Sequence, residues 1–345
     1  MKNLFFTLFL IPIMLSCTNK GEEKKEVVQF INDAVKKAKT ANKTLIIEFW
    51  APECGPCIRL KRDIFNHSKT TVFLDSSFVL VQVSPADSIY KPLWKHFNLA
   101  YQSSVIYIDK NGNEIDRTVS YNSDRDSYLN FLKDVAVGKN LFGTILSAYQ
   151  LDTLNVPNIY LMANKLFFRY QLKDAIKQYN KVLILDPNNK FGFNPECSYK
   201  IAESELTLTG NLDKMREFLK TDHKDGFDPK AYEYIINDLI NKEDSLGCIT
   251  LCKEAFDKYP DSWEILNKYA WAICTFKIKN DYQKALDMVQ KSIILNPNRP
   301  GTYSTEAWIY FEMGNKEKAI EAQNKGIEIY PLPAYLQDLE KFKSM

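Results

Sequence analysis

An alanine and a proline twelve residues apart recur through the second half of the chain: Ala175 with Pro187, Ala285 with Pro297, and Ala319 with Pro331, the last two alanines being thirty-four apart. A fixed period of that size marks stacked supersecondary units, none of which buries its apolar face alone. Upstream of each alanine a second amphipathic helical pattern carries Ala163, Ala270 or Ala307, small residues where two helices must approach closely. Gly314 marks the turn within the last unit. The units fall near 156–189, 193–226, 229–262, 263–299 and 300–333; the second is degenerate and the fourth has extra residues near 277–280. The closing stretch LPAYLQDLEKFKSM predicts a helix, over 334–345, that caps the open end of the stack.

This pattern resembles tetratricopeptide repeats over 156–333, which implies an all-α superhelix whose concave groove binds a peptide or a partner protein. No catalytic cluster stands out within it. Cys248 and Cys252 lie four apart on one helix, a poor spacing for a disulfide. They read as buried small residues, as do Cys197 and Cys274, with a Cys252–Cys274 bridge across adjacent helices as the alternative. The stretches DHKDGFD (222–228) and DKNGN (109–113) hold acids and a glycine without calcium-loop spacing and read as loops.

Residues 26–138 follow another pattern. VVQFINDAVKKAKTANK suits an amphipathic helix, and TLIIEFW (44–50) a buried strand. WAPECGPC (50–57) leads into a helix at IRLKRDIF, and FVLVQVS (78–84) is a second apolar strand. SVIYID and EIDRTVSY flank Lys110-Asn111-Gly112-Asn113, a strong hairpin signal. A last helix starts at a Ser123 or Asp124 cap and stops at Gly138. The CxxC pair sits at a strand-to-helix junction, where unpaired N–H groups and the helix dipole stabilise a thiolate at Cys54. Cys54 is then the attacking sulfur and Cys57, a turn further in, the resolving one. Pro56 suits a first helical turn, and Gly55 the tight entry. The competing readings are a permanent structural disulfide and half of a metal site. A metal needs two more ligands, and His67, His96 and His223 lack ligand spacing, so no metal and no cofactor is expected.

The element order, with Trp50, Ala51, Cys54, Gly55, Pro56 and Cys57, resembles the thioredoxin fold over 26–138. The whole chain thus reads as an α/β thioredoxin fold followed by an all-α repeat solenoid, joined by a linker at 139–155. The resemblance implies that Glu48 is the buried carboxylate relaying protons to the resolving cysteine; the alternative is a strand glutamate facing solvent. Two departures stand out. Ser103 occupies the position where the family carries a cis-proline, and because a cis bond before a non-proline residue costs about 2.5–4 kcal/mol, the Gln102–Ser103 bond is expected to be trans, leaving Ser103 Oγ near Cys54. Glu53 places a negative charge beside Cys54, which opposes thiolate formation.

The first residues, MKNLFFTLFLIPIMLSC, hold an apolar run too short to span a bilayer and interrupted by Pro12, a signal-peptide core. MLSC resembles a bacterial lipobox, implying that Cys17 is lipidated; the alternative is an ordinary signal peptide with an incidental cysteine. Residues 18–25 read as a polar tether. The mature chain is then expected in the cell envelope, lipid-anchored, facing the periplasm or exterior, where disulfides persist. Lys plus Arg (45) nearly balances Asp plus Glu (43), which removes the electrostatic case for nucleic acid. The expected function is thiol–disulfide exchange on protein or peptide substrates, with an upstream redox partner and a protein partner in the repeat groove. The alternative is an interaction scaffold whose thioredoxin-like domain is redox-degenerate.

Overall fold

The computed structural model describes residues 19–121, 125–139, 141–221 and 226–344. Cys17, the signal segment, Ser123, Asp124 and His223 lie outside the described residues.

The first helix, α1 (Asn19–Ala41), buries Val27, Ile31, Ala34 and Ala38, a stripe at helical spacing. It begins within the stretch read as a tether. The correction has a local cause: Glu22, Glu23, Lys24 and Lys25 are good helix formers and extend the amphipathic helix backwards along solvent. Strand β1 (Thr44–Phe49) follows, then α2 (Gly55–Leu60), which runs straight into a π-helical turn at Lys61–Phe65. Helix α3 (Ser68–Ser77), β2 (Phe78–Val83), α4 (Tyr90–His96), β3 (Ser104–Ile108), β4 (Glu114–Val119) and α5 (Arg125–Ala136) complete the unit.

The sheet order is β2-β1-β3-β4, with β1 parallel to β2 and antiparallel to β3. Period-two alternation divides its residues between two cores. Leu45, Ile47 and Phe49 pack with α1 and α4; Ile46 packs with Leu60, Ile64 and the aromatic residues of α5. The β3–β4 hairpin turns on Asp109, whose Oδ1 accepts from the N–H groups of Asn111 and Asn113, while Gly112 takes φ +87°.

The segment 139–155, expected as a linker, contains helix α6 (Phe142–Leu151), whose Phe142, Ile145, Leu146 and Tyr149 pack on the repeat core. That apolar face explains why it folds. Antiparallel pairs follow: α7 (Val156–Phe168) with α8 (Leu172–Leu185), and α9 (Asn194–Thr209) with the short α10 (Asp213–Phe218). Next come α11 (Asp228–Asn241) with α12 (Ser245–Lys258), then α13 (Trp263–Thr275) with α14 (Tyr282–Leu295). The last pair is α15 (Pro300–Glu312) with α16 (Lys316–Ile329), closed by α17 (Pro333–Lys343). The extra residues of the fourth pair form a 3-10 turn at Lys279–Asp281. Ala163, Ala175, Ala270, Ala285, Ala307 and Ala319 are all fully buried, as close helix approach requires. Cys197, Cys248, Cys252 and Cys274 are free thiols in the core, so the Cys252–Cys274 bridge is not formed.

The repeats are tied to the sheet by an ionic cluster on its edge strand. Asp116, fully buried on β4, pairs with Lys165 of α7 and lies 3.5 Å from Arg169 Nη2. Arg169 also reaches Glu114 at 3.3 Å and lies over the Phe142 ring at 3.9 Å. Arg117 grips Glu114 with two bonds of 2.8 and 2.6 Å and donates to the Phe97 carbonyl at 2.9 Å. Removing one member of such a cluster strands buried charge, which typically costs about 3–5 kcal/mol. Asp116→Ala is therefore expected to lower the unfolding free energy by roughly 3 kcal/mol in denaturant titration; a change below about 1 kcal/mol would mean the cluster acts like a surface pair.

Candidate active site

Strand β1 ends at Phe49, and the backbone N–H of Trp50 still donates to the Val83 carbonyl at 3.0 Å, so the chain leaves the sheet at a fixed point. Ala51 is fully buried, and its carbonyl accepts from Cys54 N–H at 3.1 Å, closing the turn. Cys54 is the N-cap of α2, with extended backbone angles (φ −89°, ψ 101°), and its Sγ accepts from Cys57 N–H at 3.2 Å. The sulfur thus occupies the place where a serine or aspartate oxygen commonly caps a helix, and the same N–H is positioned to hold a thiolate. Pro56 stands in the first turn, and nothing lies within 4 Å of where a Cβ on Gly55 would fall. The sulfurs of Cys54 and Cys57 are 2.05 Å apart, a disulfide. Both residues are buried, Cys54 at 7% exposure and Cys57 at 2%.

Glu48 follows from the alternation. It shares the face of Ile46 that looks toward α2 and α5, and it is fully buried, so the solvent-facing alternative is removed. In the register, Glu48 pairs with Gln82 on β2 and Val105 on β3. Gln82 Nε2 donates to Glu48 Oε2 at 2.6 Å, while Oε1 is buried without a partner. Burial raises the carboxyl from its ordinary 4.5 to about 7, against the opposing pull of the Gln82 bond and the Lys61 charge. Lys61 Nζ itself lies 5.1 Å from the Trp50 ring centroid.

Glu48, Trp50, Pro52, Cys57, Ile58 and Lys61 share one cleft of about 510 Å³, which also takes in Arg62, Asn66 and, from the far end of the repeats, Pro331. Among the sequence-derived candidates, Cys57, Glu48 and Trp50 thus meet at one place, with Cys54 bonded to Cys57. Ser103 is buried, its Oγ has no hydrogen-bond partner, and it takes φ +61°, a left-handed conformation uncommon for serine. No peptide bond among the described residues is cis, in keeping with the expected trans bond before Ser103. Ser104 pairs with Phe49 at the end of the β1–β3 ladder, so Ser103 lies just outside it, immediately before β3. Glu53, beside Cys54, is exposed.

Gln82, Lys61, Arg62 and Pro331 were not among the expected site residues. A polar residue inside FVLVQVS was a signal for Gln82; nothing local points to Pro331. His67 caps α3 through Nδ1 and meets Arg125 at 2.9 Å, and His96 packs edge-on against Phe97. No group of metal-binding side chains occurs among the described residues.

Residues 31–136 match the thioredoxin-like domain family, and residues 301–331 match the tetratricopeptide repeat. The chain carries a thioredoxin-like domain followed by tetratricopeptide repeats. The thioredoxin-like domain is similar to thioredoxin H8 of Arabidopsis thaliana, 33% identical over 86 residues; the match covers 25% of this chain and 53% of that protein, about half its length. Solved structures similar to the chain include YrrB, described as a TPR protein with an unusual peptide-binding site, at 16% identity and TM-score 0.39 over 57% of this chain and 97% of that one. Yeast Tom70 is similar at 16% identity and TM-score 0.46, over 59% and 42% of the two chains.

Because the buried Glu48 binds a proton on folding between its unfolded and folded values, its contribution to stability falls as pH rises from about 4.5 to about 7. Glu48→Gln is expected to raise stability at pH 8 by up to roughly 3 kcal/mol and to give no comparable gain at pH 4, measured by denaturant unfolding at both values. An equal effect at the two pH values would show that the carboxylate is not desolvated.

Proposed function

We propose that the protein is an extracytoplasmic thiol–disulfide oxidoreductase, anchored through a lipidated Cys17, whose repeats recruit a protein partner or substrate. The observation that carries the redox part is the helix-capping Cys54 disulfide-bonded to Cys57 in the cleft that also holds buried Glu48. In the reduced state Cys54 attacks a substrate disulfide, and the Cys57 N–H that bonds its sulfur lowers the cost of the thiolate. Cys57 then attacks the mixed disulfide. Glu48, raised to about 7, is suited to take the Cys57 proton in that step near neutral pH. The envelope location rests on the apolar leader and the MLSC segment. The partner role rests on the repeats, a scaffold on which peptide and protein recognition is common.

A second reading is favoured by one observation: Tyr101, two residues before Ser103, packs edge-on against Tyr170 of the repeats at 6.1 Å. If the edge beside Ser103 is permanently used inside the molecule, the chain is a scaffold and the disulfide is structural.

Reduction of insulin by the purified protein separates the readings. Wild type is expected to turn over and Cys54→Ser to fall to the uncatalysed rate; an inactive wild type favours the scaffold. In cells, Cys57→Ala is expected to accumulate mixed disulfides through Cys54, seen as adducts released by reductant.

A further inference from the structure

Lys61 stands one helical turn beyond Cys57, so the two side chains lie on the same face of the helix that Cys54 caps. The Lys61 N–H donates to the Cys57 carbonyl. Its own carbonyl accepts from Asn66 N–H at 2.7 Å, the long bond of the π-helical turn that begins there. Both backbone groups of Lys61 are therefore committed to the ladder that positions Cys57. Its side chain lines the cleft that Glu48 and Cys57 also line, and its ammonium is held over the Trp50 ring. The cleft has a second cation, Arg62, but that guanidinium is paired with Asp63 and lies over Tyr330. On the strand side, Gln82 occupies Glu48 Oε2, which leaves the buried Oε1 as the oxygen able to accept a proton.

We propose that Lys61 is a positioning residue of the redox reaction: its charge, brought into the shared cleft from the turn after Cys57, holds Glu48 as the carboxylate that takes the Cys57 proton. The assignment rests on the redox reading above and names what makes the buried base usable at neutral pH. Burial alone favours the neutral acid, which has no place for a further proton. A cation in the same cleft favours the negative charge, on Glu48 before the transfer and on Cys57 Sγ after it. The direction agrees: the Lys61 charge lowers the Glu48 carboxyl against the burial that raises it to about 7. The neighbours on the other elements do not substitute for it. Gln82 of β2 is uncharged and Val105 of β3 is apolar. Tyr128 of α5 is a phenol that burial pushes up to about 12.

In the step, the S–H bond of Cys57 breaks and its proton passes to Glu48 Oε1. The Cys57 thiolate attacks Cys54 Sγ in the mixed disulfide, the bond from Cys54 to the substrate sulfur breaks, and that sulfur leaves as a thiolate. The cysteine pair ends oxidised and the substrate sulfur reduced, and the Glu48 proton passes to the leaving thiolate or to solvent.

The test uses the full chain and the variants Lys61→Met, Lys61→Arg and Arg62→Met. Reduced protein is mixed with an excess of an aromatic disulfide, and release of the second thiol, the step that Cys57 performs, is followed against pH. Relative to wild type, Lys61→Met is expected to slow this release about threefold or more at about pH 6 and to recover at about pH 8.5. Lys61→Arg keeps the charge and is expected to keep the wild-type pH dependence. Arg62→Met is expected to leave the acid limb at the same pH, whatever its maximum rate. A uniform loss at every pH in both Lys61 variants overturns the proposal, because it marks a packing role. A second readout needs no turnover. Without Lys61 the folded carboxyl rises further, so the stability lost as pH rises from about 4.5 goes on falling to higher pH. Lys61→Met is thus expected to destabilise more at pH 8 than at pH 4 in denaturant unfolding, and that difference to vanish in a Glu48→Gln background. Equal destabilisation at the two pH values, or a difference that persists without Glu48, overturns the assignment. If no disulfide is turned over, the redox reading fails, while the unfolding cycle still decides whether Lys61 sets the charge of Glu48.

Discussion

The buried ionic cluster between β4 and α7 sets the geometry on which the rest of the molecule depends. Asp116 has no exposure to water, so its charge is tolerable only while Lys165 and Arg169 stay beside it. Coulombic attraction alone would leave α7 free to slide, but Arg169 is also held against Phe142, and Arg117 ties Glu114 to the Phe97 carbonyl. The first repeat is thereby fixed in orientation against the sheet. Each later pair packs on its predecessor, so that one contact sets the direction of the whole solenoid.

Within the sheet, a second dependence runs from alternation to chemistry. A strand of type TLIIEFW places successive side chains on opposite faces, and the apolar residues settle which face each takes. Glu48 has no choice but to share the face of Ile46, beneath the helix that Cys54 caps. The cost of burying it appears as the raised carboxyl pKa, which brings its titration close to neutral pH. Gln82 and Lys61 oppose the rise, the first by a hydrogen bond and the second by its charge. The site is therefore a balance between burial and two partners contributed by different elements.

Much of this was legible in the order of residues. The Trp50–Cys57 stretch, the hairpin at Asn111-Gly112 and the Ala-to-Pro spacing are local patterns, and each corresponds to a local structure. Burial of Glu48 was open at that level, because a glutamate on an edge strand and one on a central strand look alike until the strand order is known. The helix at Phe142–Leu151 was missed because its apolar face is broad and short, without the spacing of the repeats. The helical start of α1 at Asn19 was missed because charged residues satisfy both a tether and the exposed end of a helix. Pro331 was beyond any local argument. It lies more than 260 residues from Arg62, and only the accumulated curvature of the stacked pairs brings them together.

That curvature makes the number of repeats a structural constant in this protein. A solenoid with one free end tolerates gain or loss of a unit, because the end only moves through solvent. Here the end has an address: Tyr330 must arrive at Arg62 and Pro331 at the cleft beside Cys57. One unit more or fewer would carry the end past the cysteine pair or leave it short. Duplication and deletion, the ordinary routes by which repeat arrays diversify, are therefore closed to this arrangement, and variation is confined to the sequence of the existing units.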